Sequence, residues 1–284
     1  MTEKPFEVCF LDVDGTVSDG LPSWHVCHRF LGTTEKAKEN RRRFFAGEIS
    51  YKEWGAMDAS LFRGIKLSAL REEMANSISL VHNAVDALRL LKQHAKMLVL
   101  LSGGLDIHCE AIVKKIDEYA PGEQLISQFI TNTFVSDSNG LVQTVRCSVG
   151  DDEGNDKKWH IEAFCRERGI NPADCLGIGD GFNDASMFAA VGTPIAFLGY
   201  SRADEARLLR DFFAQRPQNV VPERDLLAAA QRAIAIRQAQ LASGTLCVCG
   251  AGFGRFSPVV GVTAGPAVTA TAATTPTPPP ATSG

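Results

Sequence analysis

The sequence predicts an α/β protein: a doubly wound parallel sheet with a helical segment inserted after the first strand. Three observations carry that prediction. From residue 84 onward, short apolar runs alternate with segments of helical spacing. The runs are continuously apolar, as in strands buried on both faces. Residues 17–79 break the rhythm, with several helical patterns and no convincing buried strand. Alternation of strands and helices gives parallel strands joined by crossover helices.

The elements follow in order. "EVCFLD" at 7–12 is the first strand, and the insertion, including "KAKENRRRFFAGEISYKEWGAMDASLF", comes next. "AVDALRLLKQHA" at 84–95 is a helix, "KMLVLLS" at 96–102 a strand and "LDIHCEAIVKKIDEYA" at 105–120 a helix. Residues 129–147 read as two β runs around Asn139-Gly140, a hairpin signal. "DKKWHIEAFCRERGI" at 156–170 is a helix ending near Gly169, and "CLGIGD" at 175–180 is a strand. "DASMFAAVG", "PIAFLG", "NVV" and "RDLLAAAQRAI" continue as helix, strand, short strand and helix. The expected division is a Rossmann-like core over 1–16 and 80–240, with a helical cap over 17–79. A low-complexity tail over 243–284 ends "TATAATTPTPPPATSG", carries one charged residue, Arg255, and is expected to be disordered.

Composition narrows the function. The chain has 284 residues, 45% hydrophobic and 22% charged, enough for a real core. A net charge of -4 leaves no basic footprint for nucleic acid. No apolar run reaches membrane-spanning length, since "MLVLL" stops at a serine. "MTEKPFEV" lacks the apolar stretch of a signal peptide, so a cytoplasmic location is expected. The eight cysteines sit mostly singly in apolar segments and read as reduced thiols. Cys247 and Cys249 have no second pair or nearby histidine to make a zinc site.

The chemistry lies in carboxylates at strand ends. The first strand closes with Asp12 and Asp14, followed by Gly15 and Thr16. Asp180 closes "LGIG", and Asp184 follows in "GDGFND". Side chains at the carboxyl ends of parallel strands line the ligand crevice. If the two strands are neighbours, the acids converge, and clustered like charges need a cation among them. A hard divalent cation with oxygen ligands, Mg²⁺, answers that need. Taken alone, "DVDGT" could be a loop with Asx-turn acids and Asp184 a helix N-cap; the pair on one sheet edge argues for a site. "LLSGG" puts Ser102 at a strand end, with Gly103 and Gly104 expected to open a helix. A hydroxyl and free N–H groups at a helix start suit phosphate, though an ordinary serine cap has the same look. Of the two lysines at the next helix start, Lys157 shares a face with Ile161, Phe164 and Cys165, whereas Lys158 faces Glu162 and solvent.

"DVDGT", "LLSGG", Lys157 and "GDGFND", in this order, resemble the four motifs of the haloacid dehalogenase-like superfamily. The resemblance covers about residues 5–235. "GINPADCLGIGDGFNDASMFAAVGTPIAF" is similar to the fourth-motif region of the phosphoserine-phosphatase-like branch. The resemblance implies a Mg²⁺-dependent phosphatase acting on a small phosphomonoester. Asp12 is then the nucleophile that forms an aspartyl-phosphate, and Asp14 the general acid and base. The metal falls to Asp12, Asp14 through its backbone carbonyl, Asp180 and Asp184. Thr16, Ser102 and Lys157 hold the phosphoryl group, with Gly103 and Asn183 on the substrate side. Phosphoryl transfer needs mostly positioning and charge stabilisation, so this small set suffices.

Three other readings are weaker. A dehalogenase does not need an acid two residues after its nucleophile, so Asp14 argues against one. A non-catalytic protein is expected to have lost a motif acid, and none is missing. Phosphotransfer to an alcohol differs only in the acceptor and stays open. The cap is expected to select substrate, with Trp24, Phe44, Phe45, Tyr51, Trp54 and Phe62 forming mostly its own core. His25 and His28 read as incidental and Arg41, Arg42 and Arg43 as a solvated run. Phosphoserine phosphatases carry a glutamate after the first motif for the substrate ammonium, and a cap arginine for its carboxylate. The aligned residues here are Leu21 and Asp58, with Asp19 and Arg63 as shifted stand-ins. The expected substrate is therefore a sugar, polyol or nucleoside-like phosphate, with phosphoserine the alternative.

Overall fold

The first strand, β1 (Phe6–Leu11), is apolar at nearly every position and lies at the centre of a seven-stranded sheet. In this computed structural model the described residues are 4–150 and 154–244. After β1 the chain forms β2 (Ser18–Asp19), then α1 (Ser23–Phe30), α2 (Thr34–Phe45), α3 (Tyr51–Ser60) and α4 (Leu67–Ser77), and returns through β3 (Ser79–Leu80). The alternating part follows as α5 (Ala84–His94), β4 (Ala95–Leu105), α6 (Asp106–Tyr119), β5 (Gln128–Ser136) and β6 (Val142–Arg146). It continues with α7 (Lys157–Arg168), β7 (Cys175–Gly179), α8 (Ala185–Ala190) and β8 (Thr193–Phe197). It ends with α9 (Ala203–Phe212), β9 (Val220–Val221) and α10 (Leu226–Ser243).

The strand order is β6-β5-β4-β1-β7-β8-β9, parallel except for β6. This is the doubly wound arrangement, and both faces of the sheet are covered. Cys9 and Leu11 pack with α5, α6 and α10 on one side. Val8 and Phe10 pack with α7, α8 and α9 on the other. Because β4 and β7 flank β1 and the chain winds outward from each, a crevice opens at their carboxyl ends, the usual ligand position in open α/β sheets.

Residues 17–79 form four helices between the paired two-residue strands β2 and β3. Their aromatics pack mostly on one another, as expected, Phe44 with Tyr51 and Trp54 and Trp24 with Phe62, but the buried interior also extends beyond the insertion. Val26, Phe62, Leu70 and Met74 share one buried cluster with Leu105 at the end of β4, Ile107 of α6, and Phe134, Val142 and Val145 of the β5–β6 hairpin. Short helices bury too little surface alone, so they borrow the hairpin's inner face. His28 is buried. Its Nδ1 lies 2.9 Å from Thr33 Oγ1 and its Nε2 lies 3.6 Å from Asp58 Oδ2. Arg42 pairs at the surface with Glu39 and Glu48, as a solvated run does. Strand β4 also differs: it runs to Leu105, so Gly103 and Gly104 remain extended and the helix starts at Asp106. The expected tail from 245 onward, with Cys247 and Cys249, lies outside the described residues.

One buried cation ties the C-terminal helix to the sheet. Arg237 of α10 donates to the Pro5 carbonyl (2.9 Å), the Ala173 carbonyl (3.2 Å) and Asp174 Oδ1 (2.5 Å). Replacing it with methionine keeps bulk but orphans two carbonyls and an acid. Arg237→Met is expected to lower unfolding free energy by about 3 kcal/mol, read by urea denaturation. An unchanged midpoint would show that α10 is held by its apolar face alone.

Candidate active site

Asp12 follows β1 directly, and its N–H donates to the Ile178 carbonyl at 2.9 Å, extending the ladder to β7. That places Asp12 and Asp180 side by side, because β1 and β7 pair in parallel. Asp184 comes from a single 3-10 turn, Phe182–Asp184, and its Oδ2 accepts the Gly181 N–H at 3.1 Å. Two glycines allow this packing. At Gly15, with φ +84°, a Cβ would lie 2.2 Å from Asp180 Oδ2. At Gly179 it would lie 2.3 Å from Asp184 Oδ2. No side chain fits at either position without displacing an acid.

The acids converge. One oxygen each from Asp12, Asp180 and Asp184 lies within 4.8 Å of the other two. Lys157, 3% exposed, bonds Asp12 Oδ1 and lies 2.5 Å from Asp184 Oδ1. Lys157 opens α7 on the face that buries Ile161, Phe164 and Cys165, and Asp156 caps the helix by accepting from the Trp159 N–H. Lys158 is half exposed, 3.7 Å from Glu162. Burial works against the Lys157 charge, but Asp12 and Asp184 outweigh it and hold its pKa above the usual lysine range.

One lysine does not balance the group. Burial pushes Asp184 up to about 6, with Asp12 adding to the shift and Lys157 opposing it. Asp180 is driven well above the usual carboxylate range by burial, then by Asp12, Asp184 and Glu205. Its Oδ1 takes only a 3.3 Å bond from the Thr16 hydroxyl among the described hydrogen bonds. Three hard oxygens with excess negative charge fit a divalent cation. The Asp14 side chain is outside this set, which leaves its backbone carbonyl as the atom for the metal role expected of it.

Asp14 turns the other way, toward the helical insertion. Burial raises its pKa to about 7 against the pull of Lys157 and of a hydrogen bond from the Ser23 backbone N–H. Ser23 also accepts from the Leu105 N–H at 3.0 Å, and Trp24 Nε1 donates to the Gly103 carbonyl at 3.1 Å. The first turn of α1 therefore sits directly on two of the motifs. Ser102 is buried, and its hydroxyl accepts the Gly104 N–H at 2.9 Å, so that N–H is not free for an anion as expected. The Gly103 carbonyl also accepts from Asn132 Nδ2 at 2.8 Å, while Asn132 Oδ1 accepts from the N–H groups of Ser148 and Val149. These partners explain why the glycines stay extended. Asn183 is exposed at the mouth, beside Gly181.

Sequence reasoning missed Ser23, Asn132 and His108. His108 Nδ1 lies 3.3 Å from Asp14 Oδ1. A signal existed for it: His108, Ile112 and Ile116 recur at i, i+4 and i+8 on the buried face of α6, the same periodicity that singles out Lys157. Ser23 and Asn132 act through long-range partners and left no local signal.

Comparison with known proteins gives a consistent result. The family model of haloacid dehalogenase-like hydrolases matches residues 6–192. A phosphoserine phosphatase of Methanocaldococcus jannaschii is 26% identical over 201 residues, covering 69% of this chain and 87% of that protein. One of Wolinella succinogenes is 25% identical over 191 residues, covering 67% and 87%. A solved phospho-aspartyl intermediate analogue of phosphoserine phosphatase superposes with TM-score 0.58 at 21% identity, over 80% of this chain and 98% of that one, a likeness of fold. The chain belongs to the haloacid dehalogenase-like hydrolases, on their phosphoserine-phosphatase-like branch.

Proposed function

We propose that the protein is a Mg²⁺-dependent phosphomonoesterase that works through an aspartyl-phosphate on Asp12 and prefers a small metabolite other than phosphoserine. The observation that carries the reading is the convergence of Asp12, Asp180 and Asp184 around the buried Lys157. Asp12, Asp180 and Asp184, with the Asp14 carbonyl, would hold the cation, which when bound supplies positive charge to the phosphoryl oxygens.

The chain's own groups do the rest. Burial pushes the Asp12 carboxyl up, and Lys157 opposes that shift and fixes the group, favouring the carboxylate that attacks phosphorus. Asp14, with a pKa near 7, is available in its acid form at neutral pH and protonates the leaving oxygen. As the resulting carboxylate it then takes a proton from the water that attacks the aspartyl-phosphate, releasing phosphate and restoring Asp12. Thr16 and Ser102 flank the phosphoryl position.

The substrate reading rests on the insertion. Leu21 is exposed, and Asp58 is buried against Asn40 Nδ2 at 2.7 Å. The two stand-ins are engaged elsewhere: Asp19 lies 3.9 Å from Arg224, and Arg63 donates to the Gln143 carbonyl at 3.2 Å. An amino-acid phosphate would thus bury its ammonium and carboxylate without these partners, at a cost of several kcal/mol. An aromatic is nearby instead: Tyr51 stands over Gly103 and Gly150 and packs edge-on against Trp54, which stacks on Phe44 with ring centroids 4.8 Å apart. That surface suits a neutral or partly apolar leaving group.

Two outcomes are expected. Chelation should abolish turnover, and Asp180→Ala should lose the Mg²⁺-induced rise in melting temperature without melting lower in metal-free buffer, since a like charge has left the cluster. Turnover unaffected by chelator contradicts the metal. Across a panel of phosphomonoesters, a sugar, polyol or nucleoside phosphate should show the highest kcat/KM. A preference for phosphoserine would sink the substrate reading and direct attention to Asp19 and Arg63.

A further inference from the structure

His108 has no place in the chemistry described so far, yet it points at that chemistry. It is 3% exposed, on the first turn of α6, which follows directly from the strand bearing Ser102. Its Nδ1 lies 3.3 Å from Asp14 Oδ1, and each of these two buried atoms lacks a hydrogen-bond partner of its own among the described residues. Orphaned buried polar atoms are costly and are rarely left facing each other without use. The other carboxyl oxygen, Asp14 Oδ2, lies over Gly104, where a Cβ would come within 3.3 Å of it and 3.0 Å of Ser102 Oγ. The two oxygens of Asp14 thus face different ways, one toward His108 and one toward the motif that borders the phosphoryl position.

We propose that His108 is a positioning residue for Asp14: its Nδ1–H donates to Oδ1 and thereby leaves Oδ2 as the oxygen that carries and delivers the proton. This rests on the phosphatase reading above and deepens it. A neutral imidazole has one N–H to offer, and donated from Nδ1 it meets the unpartnered Oδ1 without adding charge beside the acids. A short tightening of the 3.3 Å separation makes the bond; catalytic hydrogen bonds are often long without substrate. The Ser23 N–H steadies the same carboxyl from the insertion side, so Asp14 is held between two elements far apart in sequence.

The consequence is specific. Proton delivery matters for a leaving group that departs poorly as an anion and little for one that departs well. His108→Leu, which fills the space but donates nothing, is therefore expected to lower kcat/KM for an alkyl phosphate such as glycerol phosphate by about tenfold more than for p-nitrophenyl phosphate. His108→Asn, whose amide N–H occupies the place of Nδ1, should restore most of that ratio. The aryl phosphate itself reports whether each variant is folded and active. Equal losses on both substrates, or an Asn variant no better than Leu, would overturn the role of His108. If the wild-type protein with Mg²⁺ hydrolyses neither substrate, the phosphatase reading has failed and the inference falls with it.

Discussion

Lys157 is, among the described residues, the cation bonded to both Asp12 and Asp184, and the local architecture follows from keeping those buried carboxylates charged. Taking a carboxylate out of water is expensive unless a partner compensates. One lysine compensates for part of the group, which is why the pKa values of Asp180 and Asp184 remain raised and why the site fits a divalent cation. The sheet topology serves this arrangement. Only the pairing of β1 with β7 brings Asp12 beside Asp180, and only glycine at 15 and 179 lets the acids come so close. Residues that define the fold and residues that define the chemistry are, at this edge, nearly the same residues.

The helical insertion is joined to that edge more tightly than a separate lid would be. Ser23 and Trp24 bond the strand bearing Ser102, and the interior of the four helices continues into the β5–β6 hairpin. Asp14 sits at the seam, with the Ser23 N–H of the insertion on one side and His108 of α6, 3.3 Å away, on the other. The proposed mechanism sets the two acids different tasks: Asp12, fixed by the core, has to be anionic and immobile, and Asp14, at the seam, has to change protonation state between two steps.

Much of this was legible in the sequence because it depended on short-range periodicity. Continuous apolar runs ending in Asp12 and Asp180 marked central parallel strands, and the i, i+4, i+7, i+8 spacing from Lys157 marked the face that reaches the acids. The structure departs from the reading where tertiary partners decide. Gly103 and Gly104 look like a helix start, but Trp24, Asn132 and Ser23, from elsewhere in the chain, hold them extended. Nothing local shows that Asp58 and Thr33 close around His28. β2 and β3, two residues each, are too short to show a period at all. Helix α9 carries a signal too, with Ala206 and Leu209 buried at i and i+3 and Phe213, just past its end, at i+7.

In the proposed mechanism the Lys157-bonded carboxylate of Asp12 becomes phosphorylated. The direct measurement is an acid quench during turnover of an aryl phosphate in Mg²⁺, followed by digestion and mass spectrometry of the peptide containing "CFLDVDGT". One acid-stable, base-labile phosphoryl group is expected on Asp12 in the wild-type protein and none in Asp12→Asn. Steady hydrolysis with no phosphorylated Asp12, or the same adduct on another residue, would contradict that mechanism.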